Sequence, residues 1–430
     1  MAPKISPVGT AADFPSAATV VVIGGGIVGL TAALTLAERG VPVVVLEKGR
    51  LAGEQSSRNL GWIRKTSRLA LDVPLAQAAD RLWLAMPERV GKDVGYRTAG
   101  IMFLAHSEAE MAAHAAWLES VNGLPLDSRL ITSSEIDRLM PGGRGKWAGG
   151  IHTPSDGRAE PTLAPSAIAA AAIRKGAVIV ENCAVRTLSF SGGQVTGVET
   201  ERGPISCERV LLAGGLWSRR FLDNHGAFLP TLPLVASVIQ TAPFEGPGDI
   251  AVGGPDFSFR KRLDGGYTVT QRGALGAPLL LDHVLIGRRY LPMLRAQRKL
   301  LRITLGKEFL RDFWLPRRWT EHGRSPFEQV RTMDPPVDAR LNAEAIQNLT
   351  SAWPIFNDVP LVDSWAGMMD ITPDSLPVIG PAKGLPGLIV ASGFSGHGFG
   401  TAPAAGQLAA DLVLESAPLV DPAPYRFDRF

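Results

Sequence analysis

The chain has 430 residues, of which 45% are hydrophobic and 20% are charged, the balance of an ordinary globular protein long enough for two domains. Its 44 basic and 41 acidic residues give a net charge of +3 without a long run of one sign, which argues against a nucleic-acid partner and a polybasic membrane anchor. The two cysteines, Cys183 and Cys207, exclude a disulfide framework and a cysteine-rich metal site, so we expect small-molecule partners, no bound metal and a reduced, cytoplasmic location.

The first predicted element is preceded by an N-terminal segment without a periodic pattern. Residues 1–18 are small and proline-containing, which predicts a flexible tail without the apolar core of a signal peptide. Residues 20–36 are apolar, but their glycines and their change of period predict a buried strand followed by a helix, not an integral membrane segment. A second β-branched run, residues 41–46, completes a strand–helix–strand unit.

The turn of this unit carries Gly24-x-Gly26-x-x-Gly29, and Glu47 ends the second strand. The first glycine allows a tight turn, the second lets the backbone approach a pyrophosphate, and the third lets helix and strand pack closely. The helix that starts near Ile27 presents free N–H groups to the phosphates, and Glu47 is placed to accept hydrogen bonds from ribose hydroxyls. The unit predicts dinucleotide binding, and the motif by itself does not separate NAD from FAD.

The α/β pattern returns later in the chain. Residues 161–176 predict a helix, residues 178–185 and 195–200 predict strands, and residues 210–213 predict another buried strand. Residues 388–391 predict a strand, and residues 402–415 predict the last helix. Between these blocks lie alternating segments such as GGYTVTQR, residues 265–272, which favour an antiparallel sheet open to a ligand.

These elements predict an α/β fold, α+β overall, in which a discontinuous Rossmann-like cofactor domain carries an inserted antiparallel-sheet domain. The cofactor domain takes residues 19–90, 152–230 and 360–430. The substrate-binding domain takes residues 91–151 and 231–359.

Three further segments resemble the D-amino acid oxidase superfamily of flavoproteins, which includes glycine oxidase and sarcosine oxidase. They are SSRNLGWIR at residues 56–64, VLLAGGLWS at residues 210–218, and the pair WAGMMDITPDSLPVIG and GLIVASGFSGHGFGTAPAAG between residues 365 and 406. With the N-terminal motif they span the whole cofactor domain. The resemblance implies FAD as the cofactor of a Rossmann-like FAD-binding domain.

The resemblance also assigns residues to FAD. It places the ADP half on the N-terminal unit, the isoalloxazine ring along the segment that starts at Ser56, and the pyrimidine edge of the flavin at the start of the last helix, where backbone N–H groups suit the charge of the reduced ring. The predicted cofactor-binding residues are Gly24, Gly26, Ile27, Gly29, Glu47, Lys48, Ser56, Ser57, Arg58, Asn59, Gly61, Trp62, Val185, Ala213, Gly214, Trp217, Gly367, Gly396, His397, Gly398, Phe399, Gly400 and Thr401. For Arg58 and Asn59, hydrogen bonding within the local turn is an equal interpretation.

Three positions depart from the family. Gly367 stands where sarcosine oxidases attach FAD through a cysteine, so we predict noncovalent FAD. Met369 stands where glycine oxidases carry an arginine that binds the substrate carboxylate, and Gly400 stands where sarcosine oxidases carry a lysine. Two familiar anchors for a carboxylate are therefore missing.

Other residues become candidates for the substrate. Arg64 aligns with an arginine that binds the carboxylate in sarcosine oxidases, and the alternative is a surface or domain-interface arginine. Arg260 and Arg262 alternate on a predicted strand and could face the substrate together, or belong to a solvated basic face. His397 is expected close to the flavin, where the alternatives are a hydrogen bond to the flavin, orientation of its own loop, or acid–base catalysis. Asp370 either meets a cationic group of the substrate or caps the turn that follows it.

Amine oxidation by a flavin demands positioning of the substrate more than a strong base. We expect an oxidase that takes a hydride from the C–N bond of an amino acid or secondary amine, with an N-substituted or dicarboxylic amino acid favoured. The imine hydrolyses to a carbonyl product and an amine, and O2 is reduced to H2O2. The alternatives are a dye- or quinone-linked dehydrogenase of the same fold, an NAD(P)H-dependent flavin hydroxylase and a non-catalytic flavin-binding assembly protein.

Overall fold

The computed structural model describes residues 3–297 and 300–430, so residues 1 and 2 of the predicted tail and residues 298 and 299 of the predicted substrate domain lie outside the described residues. The helices are α1 (Ile27–Glu38), α2 (Gln55–Arg58), α3 (Val73–Val90), α4 (Glu108–Ser120), α5 (Ser133–Leu139), α6 (Ala164–Arg174), α7 (Ser218–Asn224), α8 (Leu281–Ile286), α9 (Leu291–Gln297), α10 (Lys307–Trp314), α11 (Pro326–Gln329), α12 (Ala339–Ala352) and α13 (Gly398–Val413). The strands are β1 (Val20–Ile23), β2 (Val43–Leu46), β3 (Trp62–Ile63), β4 (Arg97–Thr98), β5 (Ile101–Ala105), β6 (Arg129–Ile131), β7 (Gly149–Thr153), β8 (Gly157–Arg158), β9 (Val178–Val180), β10 (Val185–Ser191), β11 (Gln194–Thr200), β12 (Gly203–Ser206), β13 (Arg209–Leu212), β14 (Leu232–Thr241), β15 (Ala251–Gly253), β16 (Ser258–Lys261), β17 (Tyr267–Thr270), β18 (Leu275–Pro278), β19 (Leu301–Thr304), β20 (Leu361–Ile371), β21 (Val378–Pro381) and β22 (Leu388–Ser392).

A six-stranded sheet forms the Rossmann-like part of the fold, in the order β21-β22-β13-β1-β2-β9. Its neighbouring strands are parallel except for β21 and β22. Valines make up most of β1 and β2, as expected for parallel strands that are covered on both faces. Helix α1 packs against the strands and against α6 and α13 in one apolar core, and the three-stranded sheet β10-β11-β12 packs on the opposite face in another.

A larger sheet runs in the order β19-β18-β14-β17-β16-β15-β5-β7-β6, with β20 paired to β14. Most of its neighbours are antiparallel, as predicted, while β15 with β5 and β18 with β19 are parallel. Strand β20 was expected in the cofactor domain with the rest of residues 360–430. It lies instead in this sheet, paired with β14 from Leu232↔Ile371 to Thr241↔Leu361.

Two predicted elements differ in a way that affects the site. The expected strand at residues 178–185 is wrong, because β9 ends at Val180, Asn182 takes a left-handed backbone conformation with φ 51, and β10 starts at Val185 in a different sheet. The last helix begins at Gly398, four residues earlier than predicted, so the glycine cluster supplies its first turn. In the part of the chain that the structure describes, no helix is long and apolar enough to cross a membrane.

Candidate active site

A cavity of about 510 Å³ lies between the six-stranded sheet and the larger sheet. The carboxyl ends of β1, β2 and β13 reach it through Ile23, Leu46 and Leu212. The larger sheet contributes residues of β14, β17 and β20, among them Val238 and Gly367. The carboxyl ends of parallel strands are where open α/β sheets bind their ligands, so the fold itself favours this position for a cofactor.

The turn between β1 and α1 forms a cradle that only glycine permits. Gly24 has φ +109, and a Cβ on it would lie 2.4 Å from the carbonyl oxygen of Ala213. A Cβ on Gly29 would lie 2.3 Å from the carbonyl oxygen of Gly24, so Gly29 packs the helix onto the turn and does not itself line the cavity. The start of α1 faces the cavity through Gly26 and Ile27. The Ile27 N–H donates to Oγ of Ser56 at 2.9 Å, and the other backbone N–H groups of this turn and the close approach suit a pyrophosphate.

Glu47 lies beside this cradle, directly after β2. Its carboxylate accepts hydrogen bonds from the backbone N–H groups of Gly25 and Gly49, both at 2.8 Å. Desolvation by burial raises the pKa of Glu47, although Lys48 and the two backbone donors oppose the shift. Each carboxylate oxygen keeps a further lone pair that a hydroxyl donor can use. Val185 also lines the cavity, and the acceptor oxygens of Glu47 fit the ribose hydroxyls of the adenosine half of FAD.

Asp370 lines the cavity from β20 and is only 1% exposed. Its Oδ2 accepts the Gly393 N–H at 2.7 Å, while Oδ1 has no hydrogen-bond partner among the described residues. The nearby Gln55 side chain lowers the pKa of Asp370 by less than burial raises it. Desolvation raises the pKa of Asp370 to about 6. The following turn is capped by Asp374, whose carboxylate accepts the Leu376 N–H at 3.1 Å, so the capping role considered for Asp370 belongs to Asp374. A hydroxyl or N–H donor on a bound cofactor would satisfy the unpaired oxygen of Asp370.

His397 immediately precedes α13 and faces the cavity. Its Nε2 lies 3.0 Å from Nη2 of Arg64, and because a guanidinium only donates, Nε2 accepts and the ring proton belongs on Nδ1. Desolvation, and after it the charges of Arg64 and Arg68, lower the pKa of His397 well below its usual value. His397 is therefore neutral and orients Arg64.

Two arginine side chains meet over the ring of Phe103. The Cζ atom of Arg272 lies 4.3 Å from the ring centroid and that of Arg64 lies 5.6 Å from it. Arg64 donates to the carbonyl oxygen of Thr66 and to His397, and Arg272 donates to the carbonyl oxygen of Gly254 at 2.9 Å. Neither forms an ion pair with a carboxylate in the described part of the chain.

The two guanidinium charges are poorly compensated. Desolvation lowers the pKa of Arg64 to about 9, whereas Arg272 is exposed and its charge stays hydrated. In Arg64 the positive charges of Arg68 and Arg272 add to the effect. Cations that the protein leaves without an ion-pair partner favour an anionic ligand, and a carboxylate matches the geometry of a guanidinium.

The structure brings most of the predicted cofactor residues to this one cavity. Those that line it are Gly24, Gly26, Ile27, Glu47, Lys48, Ser56, Arg58, Asn59, Gly61, Trp62, Val185, Ala213, Gly214, Trp217, Gly367, Gly396, His397, Gly398, Phe399 and Gly400. Ser57 lines a second, smaller cavity, and Thr401 donates to the carbonyl oxygen of His397 at 3.1 Å within the helix. Asn59 donates to two carbonyl oxygens of its own turn and accepts the Gly61 N–H, so the local interpretation describes its side chain.

Arg260 and Arg262 lie away from this cavity, which corrects the prediction that they reach the substrate. Arg260 is 2% exposed and binds both carboxylate oxygens of Glu160, at 2.6 and 2.9 Å. Arg262 is 7% exposed, pairs with Asp264 at 2.7 Å and donates to the carbonyl oxygen of Tyr267 at 2.9 Å. Both charges are compensated inside the fold, so neither a substrate anchor nor a solvated basic face describes them.

Sequence reasoning missed several residues of the cavity wall. Arg272 lies in the GGYTVTQR segment but follows the strand instead of belonging to it. Arg331 and Thr332 come from an irregular segment without any motif. Among the described residues, no group of histidine, cysteine or acidic side chains could hold a metal ion.

Known proteins are similar to this chain over most of its length. A family model described as FAD dependent oxidoreductase (DAO) matches residues 19–412. The glycine oxidase of Pseudomonas putida is 27% identical over 94% of this chain and 97% of its own length. Mouse mitochondrial sarcosine dehydrogenase is 25% identical over 99% of this chain, which spans 43% of that protein.

Solved structures extend the likeness to the whole fold. L-amino acid deaminase from Proteus myxofaciens, solved in complex with anthranilate, gives a TM-score of 0.95 at 31% identity and covers 100% of this chain and 97% of its own. L-amino acid deaminase from Proteus vulgaris gives a TM-score of 0.93 at 31% identity over 99% of this chain and 100% of its own.

Proposed function

Because this chain belongs to the DAO family of FAD-dependent oxidoreductases, we propose that it oxidises the C–N bond of an L-α-amino acid whose carboxylate is bound by Arg64 and Arg272. An FAD cofactor and chemistry on amino acids or amines come with the family. The L-configuration is supported by the two deaminases that match the whole chain.

The proposal depends on one observation, the two guanidinium groups that line one cavity without an ion-pair partner among the described residues. A carboxylate would give both guanidinium groups an anionic partner and could bind Arg272 with two parallel hydrogen bonds. Anthranilate, the molecule bound in the P. myxofaciens deaminase, carries a carboxylate and an amino group, and an α-amino acid carries the same two groups. Arg64 is thus retained from the predicted anchors, and Arg272 replaces Arg260 and Arg262.

The residues of the cavity fit FAD, because the glycine cradle, Glu47 and the unpaired oxygen of Asp370 all face the same space. When bound, FAD supplies the acceptor for a hydride from the carbon next to the amine. Arg64 and Arg272 hold the carboxylate, and their positive charges lower the pKa of the nearby substrate ammonium group. The substrate can therefore lose its proton without a strong protein base. Water then hydrolyses the imino acid to a keto acid and ammonia.

We propose O2 as the electron acceptor, with H2O2 as the second product, and the glycine oxidases among the relatives support this choice. A quinone or an artificial dye is the alternative acceptor. The cofactor is proposed to be noncovalent, because Gly367 lines the cavity and neither Cys183 nor Cys207 does. The same two cysteines are free and buried, which supports a cytoplasmic location.

A dicarboxylic or N-substituted amino acid is the second candidate. Two guanidinium groups in one cavity could each take one carboxylate, which favours a substrate with two acidic groups. An apolar wall that includes Ala236, Val238 and Leu275 favours instead a substrate with a single carboxylate and an apolar side chain.

A substrate panel tests the proposal. The holoenzyme is mixed anaerobically with L-, D-, dicarboxylic and N-alkyl amino acids and with the matching decarboxylated amines, and loss of the flavin absorption band is followed. We expect rapid reduction by L-α-amino acids with apolar side chains and none by the amines. Admission of air with a peroxide assay then identifies the acceptor. Equal reduction by amines that lack a carboxylate would contradict the role of the two arginines.

A further inference from the structure

A strap of residues 330–334 lies against the end of the cavity that holds Glu47. The strap has no regular secondary structure and follows α11, so by chain position it belongs to the predicted substrate-binding domain. Two of its residues, Arg331 and Thr332, nevertheless line the cavity together with Glu47 and Val185. This end of the cavity is therefore closed by a segment from a distant part of the chain.

Lys48 attaches the strap to the residues after β2. Its Nζ donates to two carbonyl oxygens of the strap, at 2.8 and 3.0 Å, and pairs with Glu54 at 2.9 Å. Glu54 in turn accepts the backbone N–H of Met333 at 2.8 Å. A Cβ on Gly49 would lie 2.3 Å from the carbonyl oxygen of Arg331, so the backbone of the strap rests directly on Gly49.

Two ion pairs connect the strap to other parts of the chain. Arg331 forms a double ion pair with Glu201 and donates to the carbonyl oxygen of Lys48 at 2.9 Å. Asp334 pairs with Arg58 at 2.7 Å. Glu201 follows β11 and Arg58 ends α2, so the pairs join the strap to two separate elements around the cofactor cavity.

We propose that this strap is the gate through which FAD enters and leaves. When closed it covers the adenosine end of the cofactor, and it must separate from Lys48, Glu201 and Arg58 before FAD can pass. The proposal rests on FAD as the cofactor and is independent of the choice of substrate.

The kind of contact explains why the strap opens while the rest of the cavity stays folded. The strap is in no sheet of the described residues. Val330 is buried in the core and Met333 packs against it, while the other attachments of the strap are ion pairs and hydrogen bonds made through side chains. Such contacts at a partly exposed position exchange for water and dissolved ions at little net cost. The opposite wall, in contrast, consists of the glycine turn and buried strands, which cannot separate without unfolding the core.

The rates of FAD binding and release test the gate. Glu201→Gln and Asp334→Asn each weaken one ion pair, and neither residue lines the cavity, whereas their partners Arg331 and Arg58 do line it and are left in place. Apoprotein is mixed with FAD in a stopped-flow instrument, and binding is followed by the change in flavin fluorescence. Release is measured by trapping the freed FAD with an excess of a second, unrelated FAD-binding apoprotein. We expect both rates to rise by roughly threefold to fivefold in each variant, as for a partly exposed ion pair, and further in the double variant.

The matched control is Glu344→Gln, which removes a surface ion pair with Arg340 on α12, a helix that does not contribute to the cavity wall. Its rates should equal those of the unmodified protein. Unchanged rates in both strap variants would overturn the proposal. Faster release without faster binding would also overturn it, because that result is expected of a fixed wall whose contacts with FAD have been weakened. The side chain of Asp334 is 56% exposed, so Asp334→Asn is expected to fold and can be measured even if Glu201→Gln does not fold. Since no substrate is used, failure here is separable from failure of the amino-acid proposal.

Discussion

In the proposed function, Arg272 is the residue on which substrate binding depends most directly. Its guanidinium donates a hydrogen bond to the carbonyl oxygen of Gly254 and lies over the Phe103 ring. A substrate carboxylate would be its first anionic partner. Arg272→Met should therefore cost about 2 kcal/mol of binding, or roughly thirtyfold in Kd for anthranilate. Titration of the flavin absorption band with anthranilate measures this, with Arg340→Met as the control. Unaltered affinity in Arg272→Met would remove Arg272 from the site.

The contrast between Arg272 and Arg260 shows what sequence can and cannot predict at single positions. Both are arginines in or beside short strands of the same sheet. Arg260 is compensated by Glu160, which is 100 residues away in the chain, and this long-range pairing leaves no local pattern. The glycines of the N-terminal turn, in contrast, could be predicted, because positive φ and close approach of the backbone both require that residue type.

Asp370 should make the stability of the apoprotein depend on pH. Burial raises its pKa to about 6, whereas an unfolded aspartate titrates near ~3.9. Between these values the folded state binds more protons than the unfolded state, so stability falls as pH rises from about 4 to 6 and stays lower above 6. Asp370→Asn removes this loss and should stabilise the apoprotein by about 2–3 kcal/mol at pH 8 and little near pH 4. Urea unfolding at the two pH values measures the difference, and an equal effect at both would contradict the assignment.

At the scale of elements, α1 lies between two glycines with positive φ that can be compared directly. Gly24 has φ +109 and no room for a Cβ, whereas Gly40 has φ +74 and nothing within 4 Å of the position that a Cβ would take. Gly40→Ala should cost about 1 kcal/mol of stability through backbone strain alone, with unchanged FAD affinity. Gly24→Ala should also displace the turn from Ala213 and weaken FAD binding by at least about tenfold. Fluorescence titration with FAD compares the two, and equal FAD affinities would show that the turn is not the cradle.

Elements themselves were predictable where a local pattern defines them, and their partners were not. The valine runs of β1 and β2 and the glycine turn between them define a strand–helix–strand unit from neighbouring residues alone. Strand β20 resembles the cofactor domain in sequence, yet it pairs with β14, which lies far earlier in the chain. All four residues of β17 are buried, so alternation in the sequence does not mark the face that leads to Arg272. Pairing depends on tertiary contacts that periodicity does not encode.

At the scale of the whole molecule, the cavity is assembled from distant parts of the chain. Gly24 comes from the N-terminal unit, Gly214 from the middle, Gly367 from the larger sheet and His397 from the C-terminal loop. The strap adds a fifth part. A cofactor bound there contacts each of them and binds only when all are folded together, so cofactor binding and global folding are coupled.

This coupling predicts how the protein responds to added FAD. A ligand that binds only the folded state stabilises it by about 2.7 kcal/mol at a free concentration of 100 times its Kd. The melting temperature of the apoprotein should therefore rise with FAD concentration. Riboflavin, which lacks the adenosine and phosphate groups that the glycine turn and Glu47 would bind, is the control and should raise the melting temperature far less.

The wall of the cavity also predicts how the flavin is held. Because the cavity wall contains Gly367 and neither cysteine, all of the flavin should pass through an ultrafiltration membrane after acid denaturation of the holoenzyme. Flavin that stays with the denatured chain would show a covalent link, and a melting temperature that does not change with FAD would show that FAD does not bind the folded chain.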